Sequence, residues 1–121
     1  MESQPLFRQR SWLGACGALC AGAAVALAAY AGHAVDGVAQ SRLQTAALFA
    51  FGHGLALTVL APAASRTLRR LALVALFVGT MLFSGSLVLN VLVQWPTMLA
   101  PLGGALLIVG WIACAIDLLR R

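Results

Sequence analysis

The stretch LALVALFVGTMLFSGSLVLNVLV, residues 71–93, decides the fold. It carries no charged side chain from end to end, and it exceeds the roughly 20 residues needed to cross a hydrocarbon core of about 30 Å. Its polar side chains are Thr80, Ser84, Ser86 and Asn90. In lipid every backbone N–H and C=O must be satisfied within the structure, and a helix does this with one segment. The run is therefore a membrane helix.

Working outward, Arg66, Arg69 and Arg70 precede the run, and Gln94, Trp95, Pro96 and Thr97 close it, with Trp95 placed like an interfacial anchor. A second apolar run covers about residues 43–61 and stops at Pro62, which lacks the N–H that a continuing helix needs. A third covers about 101–118, with Pro101 in a first turn that does not use its missing donor. The run at 12–32 follows Arg8 and Arg10, and Ala29-Tyr30-Ala31 imitates a signal-peptide cleavage site. That run is longer than the roughly 7–15 residues of a signal h-region, so it reads as a helix that stays. The chain is thus expected to be all-α, a four-helix transmembrane bundle forming one membrane domain over residues 1–121.

Composition agrees. Of 121 residues 62% are hydrophobic and 9% charged, too few charges to coat a soluble domain. The net charge of +5 comes with no lysine, and the arginines stand in small groups between apolar runs. That placement points to membrane topology and anionic lipid headgroups rather than nucleic acid. Arg8, Arg10, Arg66, Arg69, Arg70, Arg120 and Arg121 fall on one side, and Arg42 on the other. The positive-inside rule then places both termini in the cytoplasm of a bacterial inner membrane, with the loops at Asp36 and Trp95 in the periplasm.

Helices in lipid associate through close packing of small residues. Gly14, Ala18, Gly22 and Ala26 recur every fourth residue in the first helix, and Gly85, Gly103 and Gly104 offer small patches in the later ones. These serve either a compact bundle or a homo-oligomer or larger membrane complex; spacing does not choose between them.

Ionisable and polar groups within spans are expensive and often mark function. His53 stands about ten residues into the second run, about 15 Å deep. It is expected to be neutral and hydrogen-bonded to another helix, with Asn90, Ser84 and Ser86 as candidate partners. A proton or ion path and a metal or haem ligand are the rival uses. His33 and Asp36 share a face if the first helix continues, as an interfacial cap or a functional pair. Cys16, Cys20 and Cys114 read as small packing residues. Asp117 beside Arg120 reads as a surface ion pair, and Asp36 lies at the opposite membrane face, so no carboxylate pair forms. No catalytic constellation, metal site or cofactor is expected.

Four blocks together resemble the YgdD-like inner-membrane protein family (domain of unknown function 423). They are Gly22 through Ala34, the segment Phe51-Gly52-His53-Gly54-Leu55-Ala56-Leu57, then Leu82-Phe83-Ser84-Gly85-Ser86-Leu87, and Pro101-Leu102-Gly103-Gly104 followed by Gly110-Trp111. The resemblance implies a small multi-pass protein of unknown activity. It also draws interest to His33, His53, Ser84, Gly85, Ser86, Pro101, Gly103 and Gly104. Gly52 stands where the family more often has an aromatic, which implies that the second histidine lacks an aromatic contact. The expected role is a structural or accessory membrane subunit. The runner-up is a small-molecule or ion transporter or channel lined by His53, Asn90, Ser84 and Ser86.

Overall fold

The computed structural model describes residues 10–120; Arg8 and Arg121, counted above for orientation, lie outside them. Four helices make up the fold: α1 (Trp12–His33), α2 (Gly37–Leu60), α3 (Thr67–Val93) and α4 (Leu99–Leu119), with a 3-10 turn at Ala61–Ala63. All four are long and apolar enough to cross a membrane, with mean hydropathies of 1.8, 1.6, 2.2 and 2.2. Among the described residues there is no strand. Large apolar side chains such as Leu19, Leu48 and Ile108 are 63% or more exposed, as a lipid-facing surface requires.

The helix ends depart from expectation for local reasons. The second helix begins at Gly37 rather than Leu43, because its polar first turns (Gln40, Ser41 and Arg42) are helical with Asp36 at the N-cap position. Gly37 takes φ +63°, a conformation open to glycine, where the chain reverses out of α1. Thr67 to Arg70 likewise belong to α3 rather than to the connector. The fourth helix starts two residues before Pro101, which still sits within the first turn. Ser11 caps α1 by accepting from the Gly14 N–H at 3.0 Å. At the far end of α3, Gln94 turns left-handed (φ 57°), and the Gln94 and Trp95 N–H groups reach back to Asn90 and Leu89.

The chain packs as two hairpins, α1 on α2 and α3 on α4, joined where α2 lies against α3. Glycine pairs set both hairpins. A Cβ on Gly17 would lie 2.6 Å from the Gly54 carbonyl oxygen, and one on Gly54 would lie 2.5 Å from that of Gly17. A Cβ on Gly79 would lie 2.9 Å from the Gly103 oxygen, and one on Gly103 would lie 2.7 Å from that of Gly79. Both crossings are therefore backbone against backbone.

Gly17, Ala24 and Ala31 form the buried side of α1, spaced by seven, as in left-handed packing. The four-residue ladder Gly14, Ala18, Gly22, Ala26 turns away instead, since each four-residue step rotates about 40° around a helix of 3.6 residues per turn. Gly14 begins it buried, but Ala18, Gly22 and Ala26 are exposed, and open space surrounds Gly22. Gly85 also faces open space, while Gly104 makes ordinary contact with Phe83. The core lies between α2, α3 and α4 around Leu57, Leu73, Leu76 and Leu107.

Candidate functional site

Three groups of polar side chains join or end the helices, the first of them at a half-exposed seam between α2 and α4. The first centres on His53, on the side of α2 that meets the other hairpin. One helix turn earlier, the Phe49 carbonyl lies 2.8 Å from its Nδ1, and across the bundle the Trp111 Nε1–H lies 3.0 Å from its Nε2. An indole N–H only donates, so Nε2 accepts and Nδ1 carries the proton that goes to Phe49. Both ring nitrogens are thereby engaged. The ring is also flanked by aromatics, with centroids of Phe49 and Trp111 each 5.8 Å away, and Phe83 packs on Phe49 at 4.5 Å. The aromatic contact that Gly52 does not offer comes from Phe49 and Trp111.

Asn90, Ser84 and Ser86 do not meet His53. Ser84 donates to the Ala46 carbonyl at 2.8 Å, joining α3 to α2. Thr80 donates back to Leu76 at 2.7 Å on its own helix, and Thr58 lies 2.8 Å from the Gly54 carbonyl of its own helix and 3.5 Å from the Gly14 carbonyl of α1. Ser86 is buried, and its hydroxyl has no partner among the described residues.

The second group lies at the end holding the α1–α2 and α3–α4 loops. Arg42 donates to the Asn90 side-chain oxygen, tying α2 to α3, and the Asn90 amide donates to the Trp95 carbonyl at 3.0 Å. Gln40 bonds the Ala31 carbonyl at 2.9 Å, which fastens α2 to the last turn of α1. His33 and Asp36 do not share a helix face: α1 ends at His33, and Asp36 is the N-cap position of α2. Both are exposed, and no ion pair joins them among the described residues.

The third group corrects the expectation for Asp117. It is not a surface residue paired with Arg120; it is 5% exposed, and Arg69 reaches its Oδ2 at 2.8 Å. Arg66 stands 3.9 Å from Oδ1 and donates to the Arg120 carbonyl at the end of α4. A last-turn aspartate opposes the helix dipole, and Arg69 on α3 supplies the compensating charge. The sequence held a hint of this, since Asp117 is the one acid in the α4 run and the arginine pattern already put the start of α3 at the same membrane side. It did not show that Asp117 turns inward to Arg69 rather than outward to Arg120.

Cys16, Cys20 and Cys114 are free thiols. Cys20 packs beside Gly54 at the α1–α2 crossing, and Cys114 sits in the α2–α3–α4 core. Among the described residues no three His, Cys, Asp or Glu side chains stand close enough to hold a metal ion.

A family model described as protein of unknown function (DUF423) matches residues 27–104, more than half of the chain. The match spans His33, His53, Asn90 and Gly103; Trp111 and Asp117 lie beyond it. Neither the curated proteins nor the solved structures yield a match.

Proposed function

The chain belongs to the DUF423 family, and from that premise we propose that it is a non-catalytic structural or accessory subunit of the bacterial inner membrane, with both termini in the cytoplasm. The observation that carries this reading is the state of His53. The side chain best suited to relay protons has both ring nitrogens engaged, Nδ1 with the Phe49 carbonyl of its own helix and Nε2 with Trp111 of α4. The other buried hydroxyls with partners are spent in the same way, on helix carbonyls. A conduit needs polar groups that face a path, and these face backbone.

The orientation rests on arginine placement. Arg10, Arg66, Arg69, Arg70 and Arg120 occur at the start of α1, the start of α3 and the end of α4, which a bundle of antiparallel hairpins brings to one membrane face. Assembly rests on the outer side of α1, where Ala18, Gly22 and Ala26 are exposed and another helix could approach closely.

Two measurements test the reading. In proteoliposomes, His53→Ala is expected to leave proton and ion flux at the level of the unmodified protein; loss of a flux that the unmodified protein shows would replace this reading with transport. In the membrane, Gly22→Ile adds bulk where nothing lies within 4 Å, so the bundle itself is expected to fold. It should abolish the cross-linked assembly formed by the unmodified chain, and an assembly unaffected by Gly22→Ile would remove the docking face.

A further inference from the structure

At the arginine-rich end, α1 and α3 do not pack closely, and a groove of about 320 Å³ opens between them beside Pro62. Its walls are Trp12 and Leu13 from α1 and Leu73 and Val74 from α3, and Arg10 and Arg70 stand on its rim. The Arg70 Nε donates to the Ala64 carbonyl at 3.1 Å, which leaves its two terminal nitrogens for another acceptor. No acidic side chain lines the groove among the described residues. The neighbouring polar pocket differs in this respect, since Asp117 shares it with Arg66, Arg69 and Arg120.

We propose that this groove is a binding site for an anionic phospholipid, with the phosphate held by Arg10 and Arg70 and the start of an acyl chain lying along Leu13 and Val74. Three features converge on that occupant. Arg10 stands two residues before the apolar run of α1 and Arg70 directly before the charge-free run of α3, the positions where headgroups meet a span. Guanidinium groups bind phosphate through paired N–H donors, and the terminal nitrogens of Arg70 supply such a pair. Two cations with no acid beside them favour a headgroup with net negative charge; a zwitterionic headgroup would bring its own cation against the arginines. The volume suits a glycerophosphate and the first part of a chain rather than a whole lipid. The site is independent of the subunit reading above and holds whether or not the chain has a protein partner.

The test uses the full-length protein in neutral detergent and titrates phosphatidylglycerol or phosphatidylcholine, with bound lipid counted by native mass spectrometry. Phosphatidylglycerol is expected to bind with saturable, single-site behaviour and phosphatidylcholine more weakly. Arg10→Gln with Arg70→Gln should weaken it about fivefold for each guanidinium lost, about 25-fold together. The matched pair Arg66→Gln with Arg120→Gln removes equal charge outside the groove and should change it less than about threefold. Val74→Trp, which fills the apolar part, should also weaken binding, and glycerol phosphate should not compete. Equal losses from the two arginine pairs would reduce the effect to general surface charge and overturn the site. Effective competition by glycerol phosphate would overturn the apolar half. Tighter lipid binding after deletion of residues 2–9 would assign the groove to the chain's own N-terminal segment instead. Melting of each variant without lipid in one cooperative transition shows that the fold is intact.

Discussion

Trp111 donates its indole N–H to Nε2 of His53 at 3.0 Å, joining α4 to α2 across the bundle. The bond makes a chain of three groups, since the His53 Nδ1–H donates to the Phe49 carbonyl. Interhelical hydrogen bonds in membrane proteins contribute about 0.6 kcal/mol on average and up to about 1.7. Trp111→Phe keeps most of the ring and removes only the donor, so it should cost about 1 kcal/mol. His53→Ala should cost more, because aromatic packing is lost with the bond. A double-mutant cycle on detergent unfolding checks the link: a coupling energy near zero would mean that the two rings do not hold one another.

The α1–α2 crossing offers a sharper contrast between two glycines of one helix. A methyl group on Gly17 would sit 2.6 Å from both the Gly54 oxygen and the Leu57 Cβ, contacts that force the helices apart. Gly17→Ala should therefore destabilise by about 1–3 kcal/mol, the range for overpacking a tight core. Gly22→Ala meets nothing within 4 Å and replaces a poor helix former, so stability should hold or rise slightly. Thermal melting in detergent separates the two. Equal melting temperatures would mean that α1 faces its neighbour differently.

The four spans could be read before any coordinates because each is a long apolar run punctuated by Pro or Arg. The positions of their ends could not. Gln40 to Arg42 and Thr67 to Arg70 are polar yet helical, and polarity at a membrane interface does not distinguish a loop from an exposed helical turn. Small residues announced close packing but not its direction, because Gly17 and Gly22 look alike in sequence and only the seven-residue geometry selects Gly17. Pairing was the least legible feature. His53 finds Trp111 across 58 residues, a link that depends on how the two hairpins dock, and Asp117 finds Arg69 across 48 residues within the α3–α4 hairpin.

Asp117 and Arg69 act as a unit in the half-buried end of the bundle, at 5% and 20% side-chain exposure. Asp117→Asn keeps the shape but leaves Arg69 without its counter-charge, which should cost about 3 kcal/mol, at the low end for breaking a buried pair. Arg69→Leu with Asp117→Leu removes both charges and adds apolar contact, so it should cost less than the single change. Guanidinium unfolding in mixed micelles measures both. A double variant less stable than Asp117→Asn would contradict the pairing as the source of the effect.

The two serines of α3 give the most discriminating comparison, since they are chemically identical, two residues apart and 5% exposed alike. Ser84 gives its hydroxyl proton to the Ala46 carbonyl at 2.8 Å, and that bond is one of the ties between the two hairpins. Ser84→Ala removes the donor and frees a buried acceptor, with an expected loss of about 1 kcal/mol. The carbonyl keeps its own helical bond, so the loss stays well below that of a stranded charge. Ser86 bears the opposite sign. Its hydroxyl is buried with no partner among the described residues, and burying an unpaired hydroxyl costs about 1–3 kcal/mol on mutational scales. Ser86→Ala is therefore expected to be neutral or stabilising by about 1 kcal/mol. Melting of the two variants side by side should give shifts of opposite direction. If Ser86→Ala instead destabilised as much as Ser84→Ala, its hydroxyl would have to be bonded in the membrane, to water or to a neighbouring chain seated against α3.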